Sequence, residues 1–165
     1  TKKNITLIGM PAVGKSSVGN RFAQKINYKY IDTDDLIQSK EQKTLAQIIS
    51  GQGLPQFLKI EEYHIINLFC TQSVIATGGS VIYSRKAMEH LSKISLIVYL
   101  AIGLDTLLTR LSDIAARGVV IDPGKSIEDL YKERTPLYDR YCDVKIDCGS
   151  LTVKTVVETV MKSFA

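Results

Sequence analysis

Five short segments are apolar or β-branched along most of their length: residues 4–9 (NITLIG), 28–32 (YKYID), 73–77 (SVIAT), 95–101 (SLIVYLA) and 143–147 (DVKID). The first and fourth are nearly continuous apolar runs, the pattern of parallel strands covered on both faces. Between the segments, apolar residues recur every three or four positions, as on one face of a helix. Val18, Phe22, Ala23 and Ile26 do so after the first segment, and Leu104, Leu107, Leu108 and Leu111 after the fourth. Val153, Val156, Val157, Val160, Met161 and Phe164 form such a stripe at the end of the chain. Strand then helix, repeated about five times, predicts an α/β sandwich around a parallel sheet with right-handed crossovers.

Two stretches depart from this alternation. Residues 44–70 read as two helices broken at Gly51-Gln52-Gly53-Leu54-Pro55, more chain than a simple crossover needs. Residues 115–126 (AARGVVIDPGKS) carry glycines, a proline and mixed charges and read as a mobile loop. Insertions over the carboxyl ends of parallel strands are where α/β enzymes hold substrates. With no repeat, low-complexity tract or Pro/Gly-rich linker, the expectation is one domain over 1–165.

Composition narrows the classes. The chain has 165 residues, 45% hydrophobic and 23% charged, which excludes a disordered chain and suffices for a buried core. No apolar run reaches the roughly 20 residues of a membrane span, and the apolar stretch after Lys2-Lys3 is too short for a signal peptide, so a soluble, cytoplasmic protein is expected. Cys70, Cys142 and Cys148 form no C-x-x-C pair and are read as free thiols. His64 and His90 have no partner at ligand spacing and are read as packing residues. The net charge of +4 is too small to argue for nucleic acid, and the tyrosines show no aromatic–basic interleaving, so no nucleic-acid partner is expected.

The candidate chemistry begins at Gly9-Met10-Pro11-Ala12-Val13-Gly14-Lys15-Ser16, which matches G-x-x-x-x-G-K-[ST] between a buried strand and an amphipathic helix. Gly9 and Gly14 permit turns that side chains would obstruct. The N–H groups along the loop, those of Ala12 and Val13 included, then converge on phosphate oxygens at the positive end of the next helix. Lys15 brings a point charge to the β- and γ-phosphates, and Ser16 a hydroxyl ligand for Mg2+. Ser17 is a bystander on the same turn.

Asp32-Thr33-Asp34-Asp35 follows the second strand at the ligand-binding edge of the sheet. Asp32 is assigned to magnesium, which prefers carboxylates and water. Asp34 is placed to meet the hydroxyl of an acceptor and take or orient its proton. The competing reading is that Thr33 or Asp34 only caps a helix beginning at Asp35. Thr77-Gly78-Gly79-Ser80 follows the third strand, where adjacent glycines let a ligand approach the backbone. Arg110 lies late on its helix and Arg117 in the loop behind it, where an arginine on a lid can neutralise a transferring phosphoryl group. Arg134, in Glu133-Arg134-Thr135-Pro136-Leu137-Tyr138, can grip a carboxylate with two parallel hydrogen bonds.

Taken together, the phosphate loop, the Asp32-Thr33-Asp34 motif, Gly78-Gly79, Arg110, Arg117 and Glu133-Arg134-Thr135-Pro136-Leu137-Tyr138 resemble the shikimate kinase family of small P-loop kinases over essentially the whole chain. The resemblance implies a three-layer sandwich with a five-stranded parallel sheet of order 2-3-1-4-5, substrate-binding helices over about 34–70 and a lid over about 112–126. It implies a monomer that phosphorylates the 3-hydroxyl of shikimate with ATP and magnesium, in aromatic amino-acid biosynthesis. Asp34 would hold the acceptor's hydroxyls, Gly78, Gly79 and Ser80 would line its site, and Arg134 would meet its carboxylate. Arg110 would lie against the adenine, with Lys15, Asp34 and Arg117 at the chemistry.

Three positions depart from that family's pattern. In Gln56-Phe57-Leu58-Lys59-Ile60-Glu61, the glutamate matches at Glu61, but Leu58 stands where an arginine would clamp the carboxylate. Lys59 is one residue along, about 100° around the helix. Ser80 replaces a third glycine, and Arg117-Gly118 replaces Arg-Pro. Two other readings therefore stand beside shikimate. One is a related kinase for another hydroxylated acid, polyol or cyclic alcohol, and the other is a non-catalytic ATP-binding regulator.

Overall fold

The computed structural model describes residues 3–111 and 124–164. Its five strands are β1 (Asn4–Ile8), β2 (Lys29–Asp32), β3 (Ser73–Ala76), β4 (Ser95–Ala101) and β5 (Val144–Asp147). They form one parallel sheet in the order β2-β3-β1-β4-β5. The helices are α1 (Lys15–Ile26), α2 (Thr33–Glu41), α3 (Leu45–Gln52), α4 (Leu54–Ile66), α5 (Arg85–Ile94), α6 (Leu104–Leu111), α7 (Ile127–Tyr141) and α8 (Val153–Phe164). A 3-10 turn spans Val81–Tyr83.

Strand position follows from apolar content. Every residue of β1 and β3 is buried, so both faces of the sheet are covered there. The edge strands β2 and β5 are partly exposed and carry the charged residues Lys29, Asp32, Lys145 and Asp147. Asn4 is buried at the start of β1 because its side chain is fully used. Its amide donates to the carbonyls of Cys70 and Ile94 at 2.9 and 3.0 Å, and its oxygen accepts from the Ser73 N–H at 3.0 Å.

The stripes of α1 and α8 meet, with Phe164 standing edge-on to Phe22 and Tyr28 at 6.1 and 6.2 Å between ring centres. The long insertion between β2 and β3 is α2, α3 and α4. It has its own small core of Ile37, Ile48 and Phe57, against which Leu54 and Leu58 pack. The expected break falls at Gly53: a capping box of Thr44 and Gln47 starts α3, and Pro55 sits in the first turn of α4. The other irregular stretch ends in Gly124-Lys125-Ser126, where Ser126 forms a capping box with Asp129 and starts α7. Among the described residues no helix is long and apolar enough to cross a membrane.

Candidate active site

The phosphate loop joins the carboxyl end of β1 to α1. A Cβ on Gly9 would lie 2.6 Å from the Leu100 carbonyl oxygen, and Gly14 has φ 103°, so both positions require glycine. Ala12 also adopts a left-handed backbone, φ 69°, which the sequence did not signal. Lys15 is buried and donates to the carbonyls of Gly9 and Met10 at 2.6 and 2.8 Å. Burial pulls its ammonium down to about 8, against the opposing charge of Asp34. Ser16 and Ser17 are exposed on the first turn of α1. Arg110 reaches back from α6 to the far side of the loop, its Nη1 donating to the carbonyls of Ala12 and Val13 at 3.3 and 3.2 Å.

Asp32 ends β2 and divides its carboxylate between two tasks. Oδ1 accepts from the N–H groups of Asp34 and Asp35 at 2.9 and 3.3 Å. Oδ2 accepts from the Ser16 and Tyr30 hydroxyls at 3.1 and 3.3 Å. The helix cap is thus Asp32, and α2 starts at Thr33 rather than Asp35, with neither Thr33 nor Asp34 as the cap. Thr33 is buried and its hydroxyl accepts from the Gly78 N–H at 3.3 Å, joining this segment to the glycine turn. That leaves the Asp34 side chain to face the turn.

A Cβ on Gly78 would lie 2.7 Å from Asp34 Oδ1 and 3.1 Å from Glu61 Oε2, and one on Gly79 would lie 2.9 Å from Arg134 Nη1. The two glycines therefore bring two carboxyl groups and a guanidinium against one turn of backbone. Asp34 is pushed up to about 6 by burial and by the charge of Asp32, with Lys15 opposing. Glu61 is buried and is pushed up to about 7, mainly by burial. The Ser80 hydrogen bond and Arg134 hold it down, and Asp34 adds to the rise. Arg134 is 3% exposed despite its charge; its Nε donates to the Tyr83 hydroxyl at 3.1 Å and its guanidinium lies 5.3 Å from the centre of that ring. Tyr138, one turn on, donates to the Gly79 carbonyl at 2.6 Å and fixes α7 to the turn.

Beside this cluster lies a cavity of about 210 Å³, to which Leu58, Ser80 and Arg134 contribute. Arg117 and most of the expected lid lie outside the described residues. Of the expected residues that are described, the phosphate loop, Asp32, Asp34, Gly78, Gly79 and Ser80 follow the carboxyl ends of β1, β2 and β3, Leu58 and Arg134 reach the cavity from α4 and α7, and Arg110 lies behind the phosphate loop. His64 Nε2 meets Glu41 at 2.6 Å and His90 Nε2 meets the Leu68 carbonyl at 2.8 Å, both away from the site. The sequence matched Glu61 and Glu133 to family motifs and put Lys125 in the expected lid without giving any of them a role in the site, and it gave no sign of Tyr83. Glu61 had a signal: Phe57, Glu61 and Ile65 are spaced by four and all buried, which puts a carboxyl on the apolar face of α4. Tyr83 sits on a 3-10 turn with no periodicity to betray it.

A strand–loop–helix phosphate cradle on a parallel sheet of order 2-3-1-4-5 defines a P-loop nucleotide-binding enzyme, with a cavity beside the glycine turn. The family model described as shikimate kinase matches residues 11–165. The shikimate kinase of Caldanaerobacter subterraneus subsp. tengcongensis is 33% identical, the match covering 98% of this chain and 96% of the relative. That of Thermodesulfovibrio yellowstonii is 34% identical over 98% of this chain and 95% of the relative. The solved shikimate kinase from Acinetobacter baumannii, in complex with shikimate, superposes with a TM-score of 0.90 at 26% identity, covering 99% of this chain and 93% of that one. The chain belongs to the shikimate kinase family, and with it to the ATP-dependent small-molecule kinases.

Proposed function

We propose that this chain transfers the γ-phosphoryl group of ATP to the 3-hydroxyl of shikimate, as a cytoplasmic, monomeric, single-domain enzyme of aromatic amino-acid biosynthesis. The observation that carries this reading is the glycine turn at Gly78-Gly79. It lies against Asp34 on one side and Arg134 on the other, so one small hydroxylated acid can meet a carboxylate base and a guanidinium at once.

The geometry supports the following roles, that of Arg117 resting on the family resemblance alone. The N–H groups of the loop from Gly9 to Ser16, with Lys15, hold the phosphates, and Arg110 braces the loop beside the nucleotide. Ser16 Oγ and Asp32 Oδ2, 3.1 Å apart and both oxygen donors, fit a hard divalent cation, so these two residues would hold magnesium. When bound, that ion supplies charge neutralisation at the phosphates. The acceptor oxygen forms a bond to the γ-phosphorus as the bond from that phosphorus to the β–γ bridging oxygen breaks, and ADP leaves. Asp34 aligns the hydroxyl and takes its proton. Lys15 stabilises the charge on the transferring group, and Arg117 is assigned the same task. Arg134 meets the acceptor's carboxylate, and Gly78, Gly79, Ser80 and Leu58 shape its site.

One observation favours a second acceptor class. Leu58 faces the cavity with a hydrocarbon side chain, which suits a less charged hydroxylated acid, polyol or cyclic alcohol. A coupled ADP-release assay over a panel of hydroxy acids and polyols decides between them. Turnover highest with shikimate is expected; turnover only with another acceptor overturns the first choice. Lys15→Met abolishes transfer in either case, and an ATP-binding protein that transfers to no acceptor is a regulator instead.

A further inference from the structure

The cavity beside the glycine turn has apolar walls from Leu54, Leu58 and Leu130, and three charged side chains reach it: Arg134, Lys125 and Glu133. Arg134 is fixed, buried and held by Tyr83. Lys125 is different. It precedes the cap of α7, and its ammonium reaches two turns along to Glu133 Oε2 at 2.8 Å. Both partners of that ion pair are 38% exposed, so solvent screens it.

Charge balance gives the pair a consequence. A carboxylate entering the cavity meets Glu133, a like charge, unless Lys125 neutralises it. An ammonium carries three donors on a flexible stem, so it can hold Glu133 and an incoming carboxylate together. Leu58, on the facing helix, offers neither charge nor donor.

We propose that Lys125 is a specificity-determining residue of the acceptor site: with Arg134 it forms a two-cation subsite for the carboxylate of a hydroxylated acid, opposite the hydrocarbon wall of Leu58. The inference rests on the reading above that this cavity receives the acceptor.

The test compares shikimate with its uncharged methyl ester in the wild type, Lys125→Gln and Lys125→Arg. Lys125→Gln is expected to raise KM for shikimate about fivefold to tenfold with kcat within about twofold, and to leave KM for the ester unchanged. Lys125→Arg, which keeps the charge, stays close to the wild type with both. An unchanged KM for shikimate in Lys125→Gln, or a loss shared equally by the ester, overturns the role of Lys125 while leaving the kinase reading intact. A wild type that phosphorylates a different hydroxy acid overturns shikimate as the acceptor, and Lys125 is then judged on that acid and its ester. Turnover with uncharged polyols alone overturns both.

Discussion

The Ser80 hydroxyl donates to both carboxylate oxygens of Glu61, at 2.9 and 3.2 Å, inside the protein. The pair joins the glycine turn to α4, and so joins the sheet to the three-helix insertion. A buried carboxyl with one hydroxyl donor is under-solvated, which is why Glu61 is pushed up to about 7 from its ordinary 4.5. Removing the hydroxyl leaves the acid worse off. Ser80→Ala is expected to lose about 1–2 kcal/mol at neutral pH, read from urea unfolding, with a smaller loss at pH 5, where the acid is neutral.

The same raised acidity makes stability depend on pH. The folded protein holds the Glu61 proton more tightly than the unfolded chain, so the neutral form's contribution is complete below pH 4.5 and is lost as pH rises toward 7. Asp34, pushed up to about 6, adds a decline of the same sign. Glu61→Gln, which cannot ionise, should therefore show a drop in unfolding free energy from pH 5 to pH 7.5 that is smaller than the wild type's by about 1–2 kcal/mol. An equal drop in both proteins would show that Glu61 does not titrate in this window.

Catalysis should follow two different groups. In the proposed mechanism Asp34 is ionised to receive a proton and Lys15 is charged to serve the phosphates. Their values of about 6 and about 8 predict a bell-shaped kcat/KM with limbs near those pH values. Because the two charges interact, the limbs belong to the pair. Asp34→Asn is expected to lower kcat by about 100- to 10,000-fold and to remove the acidic limb. A profile that keeps that limb in Asp34→Asn would assign it to another acid.

The glycine turn predicts a position-specific loss. An alanine at Gly78 would need Asp34 or Glu61 to retreat from 2.7 and 3.1 Å, and one at Gly79 would press on Arg134 at 2.9 Å and on Pro11 at 3.0 Å. Displacing a catalytic group by about 1 Å costs on the order of 100-fold. Gly78→Ala should therefore lower kcat, and Gly79→Ala should chiefly raise KM for a carboxylate acceptor. Steady-state kinetics on the two variants separates these effects.

In the body of α1, a Cβ on Gly19 would lie 2.9 Å from the Tyr30 ring and 3.3 Å from Leu7, where α1 lies against the sheet. Gly19→Ala is expected to cost about 1–3 kcal/mol by overpacking, in spite of the better helix propensity of alanine. A Tm raised by this substitution would mean that Tyr30 moves aside freely.

Most of the architecture was legible in the residue pattern. The continuous apolar runs of β1 and β4 marked strands covered on both faces, and the stripes of α1, α6 and α8 marked the helices that flank them. Gly53 and Pro55 marked the break in the insertion, because neither residue continues a helix. The phosphate loop was readable because its chemistry is local, with every part supplied by eight consecutive residues.

Tertiary structure decided what depends on residues far apart in the chain. Whether Asp32, Thr33 or Asp34 capped α2 could not be read from three adjacent polar residues, all able to accept from a helix N-terminus. The bonds from the Asp34 and Asp35 N–H groups to Asp32 Oδ1, with the Thr33 hydroxyl turned to the Gly78 N–H, settled it. Glu61 and Ser80 are 19 residues apart and Arg134 and Tyr83 are 51 apart, so no spacing rule links them. The unusual acidities of Asp34, Glu61 and Lys15 likewise arise from burial and neighbouring charges, which exist only once the chain has folded. The sequence by itself determined the sheet, the phosphate cradle and the family. The folded chain determined how charge is arranged around the glycine turn, because electrostatic energies depend on distance and desolvation rather than on order along the chain.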